Sequence, residues 1–216
     1  MNSTGHDQIL IWGTGGHAKV VADIISQQSQ FEIAGFLDDA FDSADTNQFL
    51  GHQVHGSREA LPRLQDEGLR HIAIAIGNCE ARSRILLDVQ KQGWNLPVLI
   101  HPHTSIASDV TLGPGIVICA GAIIGPSTDI AAGCIINTAA SVDHDCKIEH
   151  GVHICPGARL AGHISIGQES WIGIGSTIIE QTKIGQHVQL GAGSVVLNDL
   201  PSNCKAWGVP AKIQSK

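Results

Sequence analysis

The chain has 216 residues, 43% of them hydrophobic and 15% charged, with a formal net charge of −7. That is enough apolar material for one or two packed domains and too little charge for a disordered chain, and the acidic balance argues against a nucleic-acid-binding face. No run of about 18 apolar residues is present, so no membrane span is expected.

In chain order, the N-terminal segment MNSTGHDQ is polar and carries no leader-like apolar stretch, which suggests a cytoplasmic protein. Residues 8–12 (QILIW) read as a strand that runs into Gly13-Thr14-Gly15-Gly16-His17-Ala18, with a helix expected over 19–28. Residues 31–37 read as a second strand closed by Asp38 and Asp39. A helix is expected over 58–68, a third strand over 71–76 ending in Gly77-Asn78, and a helix over 80–92. Alternation of strand and helix predicts a small parallel sheet with a Rossmann-like α/β arrangement. A boundary falls between Pro97 and Pro102, dividing the chain into domains 1–98 and 99–216.

Beyond that boundary a strict six-residue period begins. Every sixth position from Ile106 through Ile118, Ile136, Ile154 and Ile172 to Val196 is aliphatic, sixteen positions without a break. The following residue is often Gly, and the residue four places on is small or β-branched. A period of six fits neither a helix nor a lone strand, but it fits a short strand and a turn repeated, with Gly supplying turn conformations. Six cysteines are present with no C-x-x-C pair, as expected of reduced, mostly buried thiols.

Two motifs carry chemistry. Gly13 to Ala18 matches G-x-G-x-x-A at a strand-to-helix junction, where helix-start amides can hold phosphate, and Asp38 stands where an acidic residue can take a ribose hydroxyl. Gly77-Asn78 ends a second strand on the same edge, where ligands of parallel sheets bind. A tight turn without a ligand would leave the same signature. A nicotinamide oxidoreductase is disfavoured, because the rest of the chain is repeat and offers no substrate domain. The second motif is Asn137 to Cys146 (NTAASVDHDC). His144 occupies the third position of its hexad and should point outward, with Gly162 one 18-residue coil later leaving space above it. Its neighbour Asp145 could hydrogen-bond the ring and favour its charged form.

The whole pattern resembles the hexapeptide-repeat bacterial sugar acyltransferases that include sialic-acid O-acetyltransferases and the N-acetyltransferases of bacillosamine biosynthesis. The likeness rests on GTGGHA (13–18), FLDD (36–39), IAIGN (74–78), NTAASVDHD (137–145), GARLAGHISIG (157–167) and the terminal GVPAK (208–212). It implies a left-handed parallel β-helix with three hexads per coil behind the α/β domain. It also implies acetyl-CoA as co-substrate, no metal, and a homotrimer with active sites between subunits. By the same resemblance His144 is the general base and Asp145 raises its basicity. His153 and the backbone at Gly162 and Ile174 contact acetyl-CoA. Gly15, Gly16, His17, Asp38, Asp39 and Gly77 contact a nucleotide-sugar. The N-acetyltransferase motif has Glu where this chain has Asp145, so the hydrogen bond to the base could be looser or water-mediated.

The activity expected is N-acetylation of a nucleotide-linked 4-amino-4,6-dideoxy sugar in surface-glycan biosynthesis. The alternative is O-acetylation of a sugar of the sialic acid type. A third reading, a zinc β-helix enzyme or an inert assembly module, draws on the clustering of His144, His150, His153 and His163 within twenty residues.

Overall fold

The computed structural model describes residues 7–40 and 47–214, and most of the polar N-terminal segment discussed above lies outside them. The chain falls into two compact units divided between Leu99 and Ile100.

The first unit is built on a three-stranded parallel sheet in the order β2-β1-β5, from β1 (Asp7–Trp12), β2 (Phe31–Leu37) and β5 (His71–Ile74). Short strands β3 (Gln48–Phe49) and β4 (His52–Gln53) form an antiparallel pair beyond it. Helices α1 (Gly16–Gln28), α2 (Leu61–Asp66) and α3 (Cys79–Lys91) complete the unit. Ile9, Leu10 and Ile11 are fully buried, as a central strand with no solvent face requires. The side chain of Asn78 caps α3 by accepting from the Ala81 N–H at 2.8 Å. The helix α1 starts at Gly16, three residues earlier than the expected start at 19, so Gly16, His17 and Ala18 of the glycine motif form its first turn. The region expected to be one helix over 58–68 is a 3₁₀ turn at Arg58–Ala60 followed by α2.

The second unit is a parallel β-solenoid. Two-residue strands stack coil on coil into three parallel faces, with Ile124↔Val142↔Leu160↔Ile178↔Val196 in register on one of them. A second face carries Ile130↔Ile148↔Ile166↔Ile184, and a third carries Ile118↔Ile136↔Ile154↔Ile172↔Leu190. The third face ends in Lys205–Trp207 and the antiparallel Lys212–Ile213. All of these aliphatic side chains point inward and are at least 97% buried. The second inward column holds Cys134, Ala140, Cys146, Ser170, Ser176 and Ser194. Its serine hydroxyls each donate to a carbonyl, Ser170 to Gly185 at 2.8 Å for instance, so the polar groups inside the prism are hydrogen-bonded and their desolvation is offset.

Corners turn through left-handed residues. One corner uses Ser127, Asp145, His163 and Gln181 in successive coils, all with φ between +56° and +62°. Several glycines are fixed by stacking: a Cβ on Gly167 would lie 2.5 Å from the Gln186 nitrogen of the next coil. Among the described residues no helix is long and apolar enough to cross a membrane.

Candidate active site

In the solenoid, His144 follows the strand Ser141–Val142 at a corner. Its Nδ1 lies 2.7 Å from Asp145 Oδ2, a direct contact, so the shorter Asp needs no bridging water. That hydrogen bond raises the His144 pKa above its ordinary value, with the charges of Asp143 and Asp145 reinforcing it against slight desolvation. Both side chains are almost half exposed, at 46% and 44%. The imidazole packs against Gly162 of the next coil, where a Cβ would meet its Cε1 and Nε2 at 2.5 and 2.6 Å. With Nδ1 turned to the carboxylate, Nε2 is the nitrogen left to accept a proton.

Gly162 and Ile174 share a position in the repeat, immediately before a left-handed corner residue. Pro114, Pro126 and Pro156 occupy this position in other coils. The ladder therefore does not need its N–H, and no coil-to-coil backbone hydrogen bond among the described residues uses one there. The amides of Gly162 and Ile174 thus stand outside the coil-to-coil ladder. Ile174 is 58% exposed and borders a groove of about 380 Å³ with Trp171, Lys205 and Trp207.

His153 is buried on the third face, its ring 4.4 Å from that of Trp171. Its Nε2 lies 3.0 Å from Asn137 Nδ2, which can donate to it and so place the ring proton on Nδ1. The sequence reading assigned no role to Trp171 and did not pair Asn137 with His153 or His163 with Asp145, although spacings of 18 (153 to 171, 145 to 163) put Trp171 and His163 directly over residues already singled out. The structure also breaks up the four-histidine cluster. His144 and His163 meet ring edge to face at 5.1 Å, His150 lies 3.9 Å from Glu169 at another corner, and His153 belongs to the third face. Burial pushes the Cys119 thiol up to about 12 and raises those of Cys146 and Cys204, which disfavours the thiolate form.

In the α/β unit the glycines separate by role. Gly13 has φ +124° and a Cβ there would stand 2.8 Å from the Ala75 carbonyl oxygen, so the turn demands it. Gly15, Gly16 and Gly77 have no positive φ and nothing within 4 Å of a Cβ, so packing does not explain them. Asp38 accepts from Thr14 N–H at 2.9 Å, from Thr14 Oγ1 at 2.6 Å and from Ala40 N–H at 2.9 Å, tying β2 to the glycine loop. Asp39 is bound to Arg58, through its backbone N–H at 3.1 Å and its guanidinium. Burial acts to raise the Asp39 pKa, but the hydrogen bonds and charge of Arg58 outweigh it and hold the carboxylate below its ordinary value. The His17 pKa is pushed down to about 4 by burial and then by the nearby Arg82, so its ring is neutral at pH 7.

A hexapeptide solenoid with a corner His–carboxylate pair, behind a glycine-loop α/β unit, defines an acyltransferase of the hexapeptide class. Comparison with known proteins narrows this. A family described as the PglD N-terminal domain matches residues 8–89, and the bacterial transferase hexapeptide (six repeats) family matches residues 163–198. The acetyltransferase domain of PglB from Neisseria gonorrhoeae is 37% identical over 97% of this chain and 100% of its own, with a TM-score of 0.90. PerB from Caulobacter crescentus, solved with CoA and GDP-perosamine, is 37% identical over 99% of both chains, with a TM-score of 0.91. A GDP-perosamine N-acetyltransferase of Escherichia coli O157:H7 is 26% identical over 188 residues, spanning 85% of this chain and 82% of that protein. The chain belongs to the bacterial sugar acyltransferase family, and it is an acetyltransferase.

Proposed function

We propose that this protein transfers the acetyl group of acetyl-CoA to the amino group of a nucleotide-linked 4-amino-4,6-dideoxy sugar in the cytoplasm. The observation that carries the reading is the His144–Asp145 pair set over Gly162, joined to relatives that bind CoA and GDP-perosamine. His144 Nε2 takes the proton of the attacking amine, and Asp145 steadies the Nδ1–H form of the ring and the imidazolium that follows. The amide of Gly162 or Ile174 is suited to the thioester oxygen as it gains charge. The nucleotide end of the acceptor lies along Gly15, Gly16, His17 and Gly77, where the backbone is open to close approach. Incubation with acetyl-CoA and a panel of GDP- and UDP-linked 4-amino sugars, followed by thiol release and product mass, tests this. Turnover of hydroxyl acceptors only would replace it with O-acetylation.

Asp38 and Asp39 differ in this scheme. Asp38 holds the loop that receives the nucleotide, so Asp38→Ala should raise the acceptor KM by about 10-fold, with the acetyl-CoA KM unchanged, as loss of one charged hydrogen-bonding group predicts. Asp39, engaged by Arg58, acts through that ion pair, and Asp39→Ala should have the smaller effect. Steady-state kinetics with each substrate varied separates the two. Equal changes in both KM values for Asp38→Ala would make it a folding residue.

The prism supports a trimeric assembly. The corner bearing His144 and Gly162 joins the first two faces and so lies across the triangular section from the third, which carries His153 and borders Ile174. A single chain therefore presents the base and the rest of the acetyl-CoA contacts on opposite sides. A homotrimer with each site between two solenoids brings both sets to one cofactor. Light scattering is expected to show a trimer, and a fully active monomer would refute the shared site.

A further inference from the structure

The corner that carries the base and its carboxylate also carries His163, a donor that acetyl transfer does not require. Asp145 and His163 occupy the same left-handed corner position one coil apart, with φ +56° and +58°. The His163 N–H donates to the His144 carbonyl at 2.9 Å, fixing the two coils relative to one another. His163 Nε2 lies 3.7 Å from Asp145 Oδ2, and His144 Nδ1 lies 2.7 Å from the same oxygen. One ligand atom from each of the three residues falls within 4.8 Å of the other two. All three side chains are exposed at 44% or more, so small rotations can close them on an ion.

Two imidazoles and one carboxylate form a borderline donor set. It suits Zn²⁺, whose Zn–N and Zn–O distances are about 2.0–2.2 Å, and does not suit Mg²⁺ or Ca²⁺, which prefer oxygen. Three protein ligands leave the fourth tetrahedral position to water. We propose that His144, Asp145 and His163 form a Zn²⁺ site whose occupation switches the enzyme off. An ion on His144 Nδ1 requires the ring proton to reside on Nε2. That removes the lone pair that would accept the amine proton, and it takes Asp145 out of its role at the same time. The ion is an inhibitor here and not a cofactor.

The inhibitory half of this proposal rests on the acetyl-transfer reading, whereas the binding half does not. Zn²⁺ titrated calorimetrically into the full-length chain after EDTA treatment should bind at one ion per chain. His163→Asn, where Asn tolerates the left-handed backbone, and Asp145→Asn should each weaken it by about 10-fold or more. His150→Asn, at a different corner, should leave it unchanged and so accounts for surface histidines in general. Equal affinity in the wild type and His163→Asn, or a stoichiometry that falls with His150→Asn, would overturn the site. In the acetyl-transfer assay His163→Asn should keep its basal turnover and need at least 10-fold more Zn²⁺ for half inhibition. Unchanged inhibition in that variant would also overturn it. If no amino sugar is acetylated, the titration still decides whether the metal site exists.

Discussion

His144→Ala is expected to lower kcat by about 10²-fold or more, the range a positioned general base contributes, while CoA still binds. The ring stands at a solvent-facing corner, outside the inward columns that hold the solenoid together, so its removal should leave the melting temperature nearly unchanged. Asp145 reaches the reaction through the His144 ring, and Asp145→Asn should cost less than loss of the base. The double variant should then be scarcely worse than His144→Ala, since groups acting as a unit are not additive. The pH profile gives an independent readout. Asp145 raises the His144 pKa, so the base is free only above that raised value. Removing the carboxylate charge should therefore move the acid limb of kcat/KM to lower pH. A limb that stays in place, or additive losses in the double variant, would give Asp145 a task of its own such as holding the sugar. Turnover near the wild-type level in His144→Ala would remove His144 from the mechanism.

The solenoid was legible because its period is longer than one residue contact. An 18-residue coil places residue i under i+18, so the register of Ile136, Ile154 and Ile172 can be read off the sequence by counting. The same count placed His144 beneath Gly162, and the structure puts the ring there. It could also have found His163 above Asp145 and Trp171 above His153, since both pairs are 18 apart. What the count cannot supply is sideways reach. The Asn137–His153 contact spans 16 residues and joins neighbouring columns, so it depends on side-chain rotamers. In the α/β unit no repeat exists to count. The strands and the glycine loop follow from apolar runs and from Gly13, but the Asp39–Arg58 pair joins residues 19 apart in a stretch of sequence with no periodic signal. The strands β3 and β4 are two residues each, too short for alternation to show.

Gly162→Ala should come close to the loss expected on removing the base, although it adds only a methyl group. Gly162 does not have a positive φ, so alanine suits its backbone and strain there is not the issue. The added Cβ would lie 2.5 to 3.0 Å from three atoms of the His144 ring. No side chain accepts such contacts, and something must move. Two things could yield: the stacked coils or the ring. The coils are fixed by His163 N–H to His144 carbonyl at 2.9 Å and by Gln181 N–H to Gly162 carbonyl at 3.0 Å, and a buried aliphatic column lies beneath them. The ring is almost half exposed and held by one hydrogen bond to Asp145, so rotation of His144 about its own side-chain bonds is the cheaper escape. That rotation takes Nε2 away from the amine and breaks the contact that sets its tautomer, and a misplacement of about 1 Å can cost on the order of 10²-fold. Kinetics and thermal unfolding together test this. The expected pair is a kcat lower by about 10-fold to 10²-fold and a melting temperature within a few degrees of wild type, about what a change of at most 1 kcal/mol produces. In a His144→Ala background the same glycine change should cost nothing further, because the ring it collides with is gone. A further loss in that background would show that alanine at 162 acts on the acetyl-CoA contact at this amide and not on the base.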